Sequence, residues 1–233
     1  MSEQHIISAF DRDLEEIQAH IMSMGGLVED AIRNAAKSLE TRDEELAQQV
    51  RKSDKAIDEL EDLINEETAR LIALRAPTAS DLRLVLSVLK VSGNLERIGD
   101  YAKNIAKRTT VLVETAEVSG SAVALRRMAR EVRSMLHDAL DAYIQRDAAK
   151  AEEVIERDEE VDQMYNGLFR ELLTHMAEDP RSISACMHLH FIAKNIERMG
   201  DHVTAVAEQA IYLVTGQRPT EARPKADKTS QTI

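Results

Sequence analysis

The sequence has no Trp, three Phe and four Tyr, so aromatic residues make up only 3% of it. With just eight Gly and four Pro, it also lacks the turn residues and the β-formers that sheets draw on. Cys186 is the only cysteine. It therefore has no partner for an internal disulfide, the chain suits a reducing cytoplasm, and a lone thiol reads as packed rather than catalytic. Basic charge is in deficit: 30 Lys and Arg face 42 Asp and Glu, for a net charge of -12 and a pI near 5.1. Such a balance argues against duplex nucleic acid as a partner, because that binding depends on a basic surface. Cationic partners or metal ions fit better. No apolar run approaches the roughly 18 to 20 residues that cross a bilayer. In place of a signal-peptide pattern the first residues carry Asp11, Asp13, Glu15 and Glu16. The expectation is a cytoplasmic protein that inserts in no membrane and reaches one only through partners.

What the chain does have is hydrophobic content of 43%, dominated by Ala, Leu and Ile among Glu, Arg and Lys, the composition of long helices. It is also duplicated. Asn94-Leu95-Glu96-Arg97-Ile98-Gly99-Asp100 returns as Asn195-Ile196-Glu197-Arg198-Met199-Gly200-Asp201, with five identities and two aliphatic exchanges. Upstream, Arg42-Asp43 aligns with Arg146-Asp147, and the pair Asp54 and Asp58 aligns with Asp158 and Asp162. The alignment slips by three residues between these blocks, and Pro77 and Pro180 mark where a helix breaks.

Apolar periodicity predicts helices over about 8–40, 43–75, 79–116, 122–145, 148–178 and 182–215. In the third, Leu84, Val88, Val91, Leu95, Ile98, Ala102, Ile105, Thr109 and Leu112 form one seam. Leu189, Ile192, Ile196, Met199, Val203, Val206, Ala210 and Leu213 repeat it in the sixth, and Val50, Ile57, Leu60, Ile64, Leu71 and Leu74 do likewise in the second. Short connections favour antiparallel neighbours. The fold class is therefore all-α, two tandem antiparallel three-helix bundles packed side by side: residues 1–118, residues 119–215, and a disordered tail over 216–233. Met22, Met24, Met128 and Met135 read as core rather than docking contacts.

Glu96 with Asp100, and Asp54 with Asp58, are four apart and so share a helix face. A hairpin pivoting at Pro77 brings all four level, and one pivoting at Pro180 does the same for Asp158, Asp162, Glu197 and Asp201. Glu96 and Asp100 lie off the apolar seam, and so do Asp54 and Asp58, so the cluster should be reachable from solvent. One reading is a solvated acidic face; the other is a pair of metal sites. Each like-charged pair is unfavourable by roughly 0.2 to 0.5 kcal/mol in an isolated helix. Gly99 and Gly200 each cost about 1 kcal/mol relative to Ala, and would make room for a close helix or a bound ion. Arg51, Lys55 and Lys103 stand three residues from acids of the first cluster. The second has Ile155, Glu159 and Thr204 there, with only Lys194 near Glu197. That shortage tilts the balance toward metal. Oxygen donors without thiolates select hard or borderline ions such as Mg, Mn, Ca or Fe over a Cys-type zinc site. The candidate cofactor is a divalent or trivalent ion, Fe, Mn, Mg or Zn, with its identity open. His202 could add a ligand but reads more simply as a surface histidine, since Tyr101 replaces it in the first copy.

These duplicated E-R-x-G-D segments, their D-x-x-x-D partners and an amino-terminal His5 followed by Phe10-Asp11 resemble the PhoU phosphate-signalling regulators over about His5 to Val214. The resemblance implies two three-helix bundles, surface acidic motifs that bind iron or other metals, and dimerisation. It further implies a cytoplasmic negative regulator of the phosphate regulon that links the phosphate ABC transporter, through its ATPase subunit, to the sensor histidine kinase. The motif falls on Glu96, Asp100, Glu197 and Asp201, with Asp54, Asp58, Asp158 and Asp162 as facing ligands. Arg97 and Arg198 match its arginine and read as partners of a facing acid rather than phosphate ligands. An enzyme is not expected. No histidine has Glu three residues before it, as ferritin-like di-metal sites require, and no P-loop is present. A helical carboxylate metalloprotein with a storage or catalytic role is the alternative.

Overall fold

The computed structural model describes residues 3–77 and 79–217, and the described residues form six long helices and no strand. These are α1 (Glu3–Thr41), α2 (Glu44–Arg75), α3 (Ala79–Leu112), α4 (Ser121–Gln145), α5 (Ala148–Glu178) and α6 (Ile183–Thr215), with a 3-10 turn at Pro180–Ser182 before α6. Most of the expected tail, 218–233, and the side chain of His5 lie outside the described residues.

The repeated Arg-Asp pair is a helix-turn device. Arg42 and Arg146 end α1 and α4 in the left-handed conformation, at φ 53° and 57°. The next residue caps the following helix: Asp43 Oδ1 accepts from the Leu46 amide at 2.9 Å, and Asp147 Oδ1 from the Lys150 amide at 3.0 Å. At the other hairpin tip, Ala76 takes a left-handed φ of 44° and Pro77 follows, where no helix continues. Helix α1 starts earlier than its periodicity indicated, and α3 stops at Leu112 instead of running to 116. The cause of the early stop is Arg42, whose guanidinium donates to the carbonyls of Leu112, Val113 and Thr115 at 2.7, 2.8 and 2.6 Å. Those acceptors are thereby satisfied outside a helix.

Helix α2 packs on α1 and α3, and α5 packs on α4 and α6, while α1 against α4 and α3 against α6 join the two copies. The joining pairs are antiparallel. Arg83 near the start of α3 lies over Tyr212 near the end of α6, and Arg108 near the end of α3 lies over Phe191 near the start of α6. One contiguous core results, with Ile21, Met24, Val88, Leu95, Met128, Leu136, Met199 and Val203 all fully buried. The seams hold with two corrections. Leu74 is 64% exposed on the wall of an open groove between α1 and α2, and Met22 is exposed while Met24, Met128 and Met135 are core. Cys186 is buried and free, its Sγ 3.6 Å from Ser182 Oγ.

Candidate metal centre

The hairpin registers place the acids as the spacing required. A Cβ on Gly99 would meet Ile57 Cδ1 at 3.0 Å and Asp54 Oδ1 at 3.8 Å; one on Gly200 would meet Asp158 Oδ1 at 2.6 Å and Val161 Cγ1 at 3.8 Å. Both glycines thus face the partner helix at the level of its acidic pair. The clearance they provide is taken up by a carboxylate-bearing helix drawn in close. This is tightest at Gly200, where alanine would push on Asp158.

The close approach corrects the expectation of a solvent-reachable cluster at Asp54 and carries the second copy further the same way. Asp54, Asp158, Asp162 and Glu197 are buried, each at 5% exposure or less. Asp58, Glu96, Asp100 and Asp201 are half-buried. A seam read from one helix at a time cannot show how deeply a second helix covers its shoulder, and glycine at that shoulder is what lets it.

In the first cluster a protein cation already binds. Lys103 Nζ lies 2.5 Å from Asp54 Oδ2 and 3.1 Å from Asp100 Oδ1, so it bridges α2 to α3, and these contacts raise its pKa. Lys55, by contrast, pairs with Glu59 at 3.0 Å and not with Asp58. Away from Lys103 the acids crowd one another. Burial, then a hydrogen bond with Asp100 and its charge, push Glu96 up to about 7. Burial followed by the charge of Asp54 raises Asp58, and burial followed by the charge of Asp62 raises Glu61. Glu61 and Asp62 were missed in the sequence, although they extend the α2 acidic face by the same helical step as Asp58. Their second-copy equivalents are Tyr165 and Asn166. Arg97 pairs with its own helix, 3.6 Å from Glu96 and 3.9 Å from Asp100, rather than across to α2.

The second cluster is arranged differently. Lys194 Nζ binds Glu197 Oε1 at 2.8 Å and lies 5.1 Å from the centre of the Tyr165 ring. Thr204, buried where the first copy has Lys103, donates to the carbonyl of Asp201 at 2.8 Å. The other oxygen of Glu197, Oε2, is shielded from solvent and has no hydrogen-bond partner. A buried carboxylate oxygen without a donor is costly, and a cation is what would satisfy it. Three buried carboxylates and the half-buried Asp201 give an oxygen donor set that fits a hard or borderline ion.

Between the two clusters, the packing of α3 on α6 brings the two motif segments together. Tyr101 and His202 hold equivalent places in the repeat, and their rings are 5.6 Å apart. His202 is therefore neither a surface histidine nor directed at the acids. Its Nδ1 lies 2.8 Å from Asn94 Oδ1, and burial, followed by the charges of Arg97 and Arg198, lowers its pKa. Arg198 is exposed.

Known proteins are similar to this chain in sequence and architecture. The PhoU domain matches residues 21–109 and 125–210, one match per copy. The chain is 44% identical over 228 residues to the phosphate-specific transport system accessory protein PhoU homolog of Caulobacter vibrioides, covering 98% of this chain and 99% of that one. It is 48% identical over 222 residues to the homolog of Zymomonas mobilis, covering 95% and 93%. The crystal structure of PhoU from Pseudomonas aeruginosa superposes with a TM-score of 0.86 at 42% identity, covering 89% of this chain and all of that one. That of the phosphate transport system regulatory protein PhoU from Streptococcus pneumoniae gives 0.84 at 31% identity, covering 91% of this chain. A fold, a duplicated motif and similarity along nearly the whole length agree, and the chain belongs to the PhoU family.

Proposed function

We propose that this protein is a non-enzymatic cytoplasmic regulator of phosphate uptake. In this role it holds down the phosphate regulon by coupling the ATPase subunit of the phosphate ABC transporter to the sensor histidine kinase. The observation that carries the reading is the end-to-end similarity to accessory proteins of phosphate-specific transport, which leaves little of either chain unmatched. The physical character of the molecule agrees with a coupling role. Long helices supply broad surfaces, and no described helix is long and apolar enough to cross a membrane, so contact with a transporter runs through protein partners or a second copy of the chain. Deleting the gene is expected to derepress phosphate-starvation genes in phosphate-rich medium. Unchanged reporter expression there contradicts the role.

The acidic clusters are proposed metal sites of unequal character. In the second, Asp158, Asp162, Glu197 and Asp201 would hold the ion, which on binding supplies positive charge to the orphaned Glu197 oxygen. In the first, Asp58, Glu96 and Asp100 would hold it, alongside Glu61, with Lys103 retaining Asp54. Elemental analysis of purified protein should find Fe, Mn, Mg or Zn. The content should fall in Glu197→Gln, and in a Glu96→Ala, Asp100→Ala double variant. Lys103→Thr, which copies the second cluster into the first, is expected to raise metal uptake. Metal at background in the wild type rejects the ion and leaves the regulatory role untouched.

A further inference from the structure

Away from the repeated motifs, α1 and α2 carry a donor set of a different kind. Glu16 and His20 are four apart on α1 and share a face, and Glu67 of α2 lies opposite them. One ligand atom from each residue, the ring nitrogen and two carboxylate oxygens, falls within 4.8 Å of the others. His20 Nε2 stands 3.5 Å from Glu67 Oε2, longer than a good hydrogen bond. That Glu67 oxygen is shielded from solvent and has no hydrogen-bond partner. A histidine nitrogen and a buried acceptor without a donor thus face each other across a gap that neither closes.

We propose that Glu16, His20 and Glu67 form a binding site for one borderline divalent cation of the Zn2+ type, separate from the acidic clusters. The distances suit it. Zinc bonds to His nitrogen at about 2.0 to 2.1 Å and to carboxylate oxygen at about 2.0 to 2.2 Å, so tetrahedral ligands lie roughly 3.4 Å apart. The His20 to Glu67 separation is 3.5 Å. Glu16 is exposed and reaches the third position by rotating its side chain. Two carboxylates and a neutral imidazole balance a divalent charge, and the nitrogen donor favours borderline first-row ions over Mg2+ or Ca2+, which prefer oxygen alone. The flanking groove, about 390 Å³ and lined by Arg12, Arg70 and Arg75, leaves the fourth position to water. A bound ion pins the first half of α1 to α2.

The test is calorimetric titration of chelator-stripped full-length protein with Zn2+. Glu197→Gln should retain a zinc equivalent that His20→Ala and Glu67→Gln lose. Binding at this site should weaken by at least roughly a hundredfold, because loss of even an outer hydrogen-bond partner costs about 10- to 100-fold. Far-UV circular dichroism checks that the variants fold, with His20→Gln as a second variant. Zinc should also shift the His20 imidazole resonances in the wild type, which a simple His–Glu ion pair gives no reason to expect. Superimposable wild-type and His20→Ala isotherms, or His20 resonances indifferent to zinc, overturn the proposal.

Discussion

Glu96 concentrates the electrostatic strain of the first cluster. Its pKa stands at about 7 against an ordinary 4.5, through burial first and then the neighbouring Asp100. Between those two values the metal-free native state holds a proton that the unfolded chain has released. Stability therefore falls as pH rises through that window, with the contribution intact below the lower value and gone above the upper. Glu96→Gln keeps a hydrogen-bonding side chain and removes the charge. Thermal midpoints recorded in chelator should match the wild type near pH 4.5 and exceed it near pH 8, both values being approximate ends of the window. A constant difference across the range would refute the assignment. Much of this residue-level picture was legible in the sequence, because i, i+4 spacing and the distance of each acid from its proline fix which carboxylates are level. The choice of cation was not. Lys103, Lys55 and Arg97 all stand within reach of acids along the chain, and only side-chain geometry sends Lys103 across to Asp54 while Lys55 turns to Glu59.

The two interhelix turns show how equivalent sequence acquires unequal roles. Arg42 and Arg146 both end a helix at positive φ, a conformation that glycine adopts without penalty and other residues adopt at a cost of about 1 kcal/mol. Arg42 offsets its strain by donating to three carbonyls at the end of α3. Arg146 makes a backbone cap to the carbonyl of Ala142, and that cap survives substitution by glycine. Urea denaturation should accordingly find Arg146→Gly more stable by about 0.5 to 1 kcal/mol. Arg42→Gly should be less stable by about 1 to 3 kcal/mol, since hydrogen bonds from a charged donor outweigh the backbone relief. Equal shifts of one sign in both would show that the guanidinium contributes nothing. The existence and order of all six helices could be read from periodicity. The end of α3 could not, because it is decided by a side chain some 70 residues away in sequence.

At the scale of the molecule, two three-helix units share one core. The sequence showed two copies and their internal seams, but apolar periodicity does not distinguish a face buried within a bundle from one buried against the other bundle. The structure resolves this through α1 on α4 and α3 on α6, and through contacts that only the joined state makes. Tyr143 of α4 is buried, its hydroxyl 2.8 Å from Ser87 of α3, and burial raises its pKa to about 12. A shared core of this extent couples the copies thermodynamically, since opening one exposes the apolar face of the other. Cys186 offers a probe confined to the second copy, being fully buried in α6. Val88, fully buried in α3, places a perturbation on a helix of the first. Val88→Ala is expected to cost about 2 kcal/mol through lost burial and a residual cavity. It should lower the urea midpoint for Cys186 labelling as much as the midpoint for far-UV circular dichroism. If labelling of Cys186 is indifferent to Val88→Ala, the halves unfold separately, and the core joins them without making them one cooperative unit.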